Sequence, residues 1–282
     1  MSVSQSKQAS WEVWIINNQK ILIVSSLFIL TYVPTLFWMW DRWFARDSDY
    51  THGIFIPFVS AFLIWQRREE LAAIPPQSST MGLPLIVLGL FFHIFSSLFR
   101  VYFSSGFSML ITLVGIILYF WGNEFLKKII FPAFFLIFMI PVPLVVVTDI
   151  SFRMKILAAE IAASVLNQLG FSAIRDGSII KLHSAYVIVD DICSGLRSLI
   201  SLTALGSIFA YWMKGPMYKR LLLWVFAIPI AIITNAMRII FLSVIAEIWG
   251  PQYAVGLIHD VSGFMVFVLA FILLFATQRI LE

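Results

Sequence analysis

Apolar runs of membrane-spanning length recur along this chain and limit what it can fold into more than any other feature. A helix needs about 20 mostly apolar residues to cross the hydrocarbon of a bilayer. Runs of that order fall at residues 21–40, 50–66, 81–99, 101–121, 128–147, 195–213, 220–241 and 260–278. The second has the shortest uncharged part, GIFIPFVSAFLIW, and is expected to begin irregularly. The pattern predicts an all-α polytopic membrane protein with about eight transmembrane helices.

Composition excludes the soluble alternative. Hydrophobic residues make up 61% of the 282 and charged residues 12%, whereas a soluble domain carries about 45–50% and about 25%. Too few polar residues remain to cover a surface in water. The net charge of +4 is not gathered into the long Lys/Arg run that a nucleic-acid partner would need. Instead Lys7, Lys20, Arg67, Arg68, Lys127, Lys128, Lys214, Lys219, Arg220 and Arg279 fall in connections on one side of the predicted spans. The positive-inside rule makes that side cytoplasmic, and both termini with it. Nine Lys and Arg fall on the other side against these ten, but most of the nine lie in or beside one long segment, which the rule discounts, and only two, Lys155 and Lys181, are lysines. Residues 1–20 read as a cytoplasmic N-terminal segment, and 21–282 as a single membrane domain. The first apolar run follows no cleavage site, so it is expected to be a retained span.

The one sizeable non-spanning region is 148–193, placed outside the membrane by the same reasoning. In its first half Asp149, Arg153, Glu160, Ser164 and Asn167 recur near helical spacing, which predicts an amphipathic helix at the outer interface. Arg175-Asp176-Gly177-Ser178 is a turn signal. The β-branched stretch SIIKLHSAYVIV after it predicts a small hairpin leading to Asp190-Asp191-Ile192-Cys193.

Ionisable groups within spans are costly and mark functional sites. Cys193 is the only cysteine, which excludes an internal disulfide and a thiolate metal cage. It precedes the sixth span. Arg238 lies near the outer end of the seventh, His259 just before the eighth, and His52 just before the second. Four reactive or charged side chains thus reach one depth on one side. Each also has a plainer reading: a small buried hydrophobe for Cys193, a snorkelling side chain for Arg238, an interfacial residue for His259. Read as a site, Cys193 is a nucleophile whose thiolate is favoured by the helix N-terminus at Ser194-Gly195 and by Arg197, and opposed by Asp190 and Asp191. Arg238, oriented by Asn235 three residues earlier, would stabilise an oxyanion. His259 would shuttle protons, its ring held by Asp260, Asp190 or Asp191. His93 and His183 have no evident partner. Pro57, Pro132, Pro141 and Pro143 predict kinks or breaks. No metal-ligand spacing such as HExxH occurs, and no cofactor is implied.

At these residues the chain resembles the exosortase/archaeosortase family, over nearly its whole length from about residue 30. Asp191-Ile192-Cys193-Ser194-Gly195-Leu196-Arg197-Ser198 is similar to that family's nucleophile motif, Asn235-Ala236-Met237-Arg238-Ile239 to its arginine motif, and His259 before a Gly-containing final helix to its histidine motif. Asp49-Tyr50-Thr51-His52-Gly53 resembles its early motif, with Thr51 where Ser is usual. The resemblance implies a cysteine peptidase or transpeptidase in the cytoplasmic (inner) membrane, with its active site outside. Cys193, Arg238 and His259 would be catalytic, with Tyr50, His52, Asp191, Ser194, Arg197 and Asn235 in support. Its substrates would be exported proteins ending in a short motif such as Pro-Glu-Pro, a hydrophobic helix and a basic tail, passed through a thioester to an amine or other acceptor. Membrane lipids are the remaining partner. Two rival readings stay open: an acyl or lipid transferase using the same cysteine, and a transporter component, which would place its ionisable groups at the bilayer midplane in two related halves.

Overall fold

A computed structural model describes residues 3–46, 48–189 and 195–282, and side chains outside 3–18 and 260. The chain is mostly helical. Its order is α1 (Val3–Trp43), a 3₁₀ turn (Thr51–Ile54), α2 (Phe55–Gln66), α3 (Arg68–Ala72), α4 (Gly82–Leu98), α5 (Tyr102–Phe120) and α6 (Gly122–Phe135). After a second 3₁₀ turn (Leu136–Met139) come α7 (Leu144–Gln168), β1 (Ile174–Asp176), β2 (Ile179–Lys181), β3 (Tyr186–Ile188), α8 (Leu196–Trp212), α9 (Met217–Trp249) and α10 (Leu257–Leu281).

Each predicted span contains a helix, but lengths differ. By length and apolarity four helical segments can cross a membrane: Gln19–Trp43, α5, α9 and α10. A fifth is added if α6 with its 3₁₀ turn and α7 form one broken span. Thr51–Gln66, α4 and α8 are apolar but shorter. At 1.5 Å per residue, 17 residues reach about 25 Å, short of a hydrocarbon core near 30 Å. The protein is therefore a multi-pass membrane protein with four or five full-length spans. The run at 128–147 is not one helix, because Ile140 is extended and Pro141 and Pro143 cannot donate the backbone hydrogen bonds that would continue it.

The chain divides into two compact units, one of residues up to Arg42 with Pro57–Ile140, the other of Trp43–Ile56 with Pro141–Glu282. In the first, α4 and α5 lie close because glycines face the partner backbone: a Cβ on Gly82 would stand 2.5 Å from the Tyr119 nitrogen, and one on Gly115 2.7 Å from that of Ile86. Small residues at such contacts let helices associate in lipid. Pro132 leaves the carbonyl of Lys128, four residues earlier, without its helical donor. Arg67 supplies one, Nη1 to oxygen at 3.0 Å. Where α6 tightens into its 3₁₀ turn, Ser60 Oγ donates to the Pro132 carbonyl at 2.8 Å.

In the second unit α9 is central. Leu202, Phe209, Leu223, Ala227, Ala231, Ala270 and Leu274 form one core between α8, α9 and α10. A second core joins α7 to the sheet and α9, through Ala158, Ala159, Ala162, Ala163 and Leu166 against Ile180, Val189 and Ile239. The repeat of alanines on one face of α7 is the buried stripe of the predicted amphipathic helix. The predicted hairpin is present within a three-stranded antiparallel sheet of order β1-β2-β3. Gly177, with φ 63°, opens the two-residue turn between Asp176 and Ile179, a position that only glycine fills at no steric cost.

Candidate active site

Arg238 and His259 meet. Arg238 lies on α9 and His259 in the first turn of α10, and Nη2 of the arginine is 3.2 Å from the His259 ring Nε2, 3.5 Å from Nδ1 and 3.0 Å from the His259 carbonyl oxygen. Guanidinium nitrogens only donate, so the nearer ring nitrogen, Nε2, is the acceptor. Arg238 Nε donates to Ser262 Oγ at 3.1 Å, and that hydroxyl donates to the His259 carbonyl at 2.7 Å. The guanidinium lies flat against Gly263, whose added Cβ would stand 3.3 Å from Nη2. Two edges of the arginine fork are thus used. Nη1 makes no hydrogen bond among the described residues.

The contact arises because α9 is longer than the predicted span. It continues through Trp249 and is 33 residues long, so Arg238 sits about three turns from its end rather than about one turn from the end of the predicted span at 241. The extension is stable although it carries Glu247, because that carboxylate accepts from the backbone N–H of Ser184 at 3.0 Å and 3.2 Å. The chain reverses over Gly250 (φ 106°) and Gly256 (φ 67°) and re-enters as α10 beside Arg238. Ser262 and Gly263 were not anticipated. Their signal in the sequence is spacing, since three and four residues after His259 share its helix face.

Asn235 is 2% exposed and packs on Gly195. A Cβ there would stand 2.7 Å from Asn235 Nδ2. Gly195 has φ 81° and immediately precedes α8, whose first turn begins with the Leu199 N–H donating to the Gly195 carbonyl at 2.8 Å. Arg197 occupies that first turn, and its Nε is buried without a hydrogen bond among the described residues. Cys193, Asp190, Asp191 and Ser194 lie outside the described residues, and so does the Asp260 side chain. Cys193 precedes Gly195 by two positions in the sequence.

The early motif also comes to α8. His52 Nδ1 is 3.2 Å from Ser201 Oγ, one turn after Arg197 on the same helix face. Its ring stacks on Tyr50 with centroids 6.0 Å apart, while its Nε2 is buried with no hydrogen bond among the described residues. Tyr50 is itself buried, and Trp43 closes over Gly53 so tightly that a Cβ there would overlap the indole. Among the described residues no group of three His, Cys, Asp or Glu is placed to hold a metal ion.

A cavity of about 500 Å³ opens beside this cluster. It is lined by Tyr186–Val189 on one side and by α9 and the start of α10 on the other, and His259 is in its wall.

These features define a multi-pass α-helical membrane protein with an arginine, a histidine and an asparagine gathered where α8, α9 and α10 meet. A family model described as transmembrane exosortase matches residues 40–276, and the chain belongs to that family. No curated protein and no solved structure matches it.

Proposed function

We propose that the protein is a cysteine peptidase or transpeptidase that cleaves C-terminal sorting signals from exported proteins at the outer face of the cytoplasmic membrane. One observation carries this reading: Arg238 and His259 are in contact, and Asn235, on the turn of α9 before Arg238, packs on the glycine two positions after Cys193.

In this reading the Cys193 thiolate attacks the scissile carbonyl, and its electron pair passes to the oxygen. The unused Nη1 of Arg238 donates to that oxyanion, in a site where a preset donor costs no reorganisation. His259 Nε2 takes up the Cys193 thiol proton, which ends its acceptance from Arg238 Nη2, and gives that proton to the leaving amine as the C–N bond breaks, leaving a thioester on Cys193. An acceptor amine then attacks the thioester. His259 takes its proton, and the thiolate departs. Water in place of the amine gives hydrolysis. Tyr50, His52, Arg197, Asp191 and Ser194 support the site or the signal, and the substrate's hydrophobic helix stays in the lipid beside the enzyme.

The test is a secreted reporter ending in Pro-Glu-Pro, a hydrophobic helix and a basic tail, co-expressed with the enzyme. Wild type should shorten it, and Cys193→Ala should not, while accumulating in the membrane at the same level. Mass spectrometry of the trapped enzyme should find a peptidyl thioester on Cys193. A fatty acyl group there would assign the chemistry to lipid transfer instead.

A further inference from the structure

Three candidates stand out beyond the site itself. The buried hydroxyl and imidazole cluster around His93 is internally satisfied. The nitrogens of His52 and Arg197 that lack a hydrogen bond among the described residues belong to the site already described. The third is the edge of β3.

The third strand lies at the edge of the sheet. It pairs with β2 in the register Ile180↔Val187, with the Val189 N–H donating to the Ser178 carbonyl at 3.0 Å and the Leu182 N–H to the Ala185 carbonyl at 2.8 Å. Alternate residues of an antiparallel strand turn their backbone groups toward the partner. Val187 and Val189 therefore face β2, and the N–H and C=O of Tyr186 and Ile188 point the other way. No described residue hydrogen-bonds to those four groups. The cavity that holds His259 lies along this edge. Tyr186, Val187, Ile188 and Val189 all line it, although successive side chains alternate between the faces of a strand. Four consecutive residues can share one cavity only where it follows the backbone edge. The opposite wall is apolar, with Ile239, Leu242 and Ala246 from α9.

We propose that the open edge of β3 is the docking rail for the substrate: an extended peptide segment beside the signal motif adds as a fourth strand along Tyr186–Ile188, which leads its scissile bond to His259. The proposal rests on the sorting reading above for what the peptide is, and names how it is held. A free strand edge presents alternating donors and acceptors at about 3.3 Å per residue, which an extended peptide matches and an acyl chain does not. Strand addition would tolerate varied sequence around the cut site, since main-chain bonds give the affinity and pockets for alternate side chains the preference. In the sequence Cys193 follows Ile188 by five positions.

The experiment uses the full-length enzyme in membranes and the same reporter. Ile188→Pro removes one outward N–H without touching the β2 ladder. Arg175→Pro makes the equivalent change on the far edge, where Arg175 alternates with the paired Ile174 and Asp176. In a Cys193→Ala background, a photo-cross-linking amino acid is placed at Ile188 or at Arg175. Ile188→Pro should slow reporter cleavage at least tenfold with unchanged membrane level and melting, Arg175→Pro should cleave normally, and only the probe at Ile188 should capture the reporter. Normal cleavage by Ile188→Pro, equal capture at both edges, or capture of lipid instead of the reporter at Ile188 would overturn the docking rail while leaving the sorting reading intact. A reporter captured at Ile188 but never cut by wild type would do the reverse. Neither cutting nor capture would end both.

Discussion

Two histidines in this molecule are held in opposite ways. His93, in the first unit, sits in a closed network. Its Nδ1 meets Ser105 Oγ at 2.8 Å, Ser105 meets Thr35 Oγ1 at 2.6 Å, and Tyr32 stacks on the imidazole with centroids 4.4 Å apart. The Tyr32 hydroxyl in turn bonds Thr112 at 2.8 Å and accepts from Ser108 at 3.2 Å. Three helices, α1, α4 and α5, are tied by these bonds, and the polar atoms use one another. His259, in the second unit, shares one arginine nitrogen in a long contact and faces a cavity. His52 leaves a buried nitrogen without a hydrogen bond among the described residues. Buried polar groups are normally satisfied, and those that are not require an explanation. The first arrangement holds helices together in lipid. The second sets one imidazole, His259, in the wall of a cavity and leaves a buried nitrogen of another, His52, unbonded among the described residues, as a site open to a substrate would.

This contrast can be broken by substitution. The largest effect is expected at Arg238. In Arg238→Lys one ammonium replaces a fork that now reaches Ser262 and His259 together, so reporter cleavage should fall about 10²–10³-fold while melting in detergent barely moves. A variant that melts early would make Arg238 a structural tie like Ser105. Next comes Gly263→Ala. The added methyl presses on Nη2 and should cost cleavage about tenfold through misplacement, yet a helical Gly→Ala change favours the helix by about 0.5–1 kcal/mol. Lower activity at equal or higher stability is the expected signature, and equal activity would show that the arginine's position is not critical.

Ser105→Ala should give the opposite pattern. It removes the hydroxyl shared by His93 and Thr35 and should destabilise the first unit by about 0.6–1.7 kcal/mol, seen in thermal melting, with cleavage per folded enzyme unchanged. Loss of cleavage without loss of stability would put the His93 network in the catalytic machinery. The smallest effect concerns the sheet. Lys181 bonds Asp176 at 2.6 Å across the β1–β2 turn, and holds that carboxyl below its ordinary range. A depressed carboxylate stabilises the fold above its unfolded pKa and loses that contribution as pH falls through the folded value. Protection of the hairpin amides should therefore weaken only in acid below the usual aspartate range. Because the pair is exposed, salt should erase most of the difference.

The apolar runs made the helices legible, but not how many cross. Length decides crossing, and α2, α4 and α8 are too short to settle it by themselves, while Pro141 and Pro143 divide what composition presents as one run. In the sheet the turn at Gly177 is readable, but Arg175 and Asp176 read as part of the turn signal and not as the end of a strand from Ile174, because three residues carry no alternation. Arg238 and His259 could be singled out because a charge or an imidazole among apolar neighbours is expensive. His93 was equally visible and its meaning was not, since its partners Ser105 and Thr35 lie 12 and 58 positions away. The reach of α9 past residue 241 was hidden by Glu247, a charge whose partner, the Ser184 N–H, is supplied by a distant loop.

Hydrophobicity is a local property, written residue by residue, and so the sequence alone settled that this chain belongs in a membrane, which segments are helical and which few polar side chains are too costly to be incidental. Which of those side chains touch is a matter of distances between helices far apart in the chain. Only the tertiary structure decided that Arg238 leans on Gly263 and His259, that Asn235 packs on Gly195, and that the edge of β3 opens beside them.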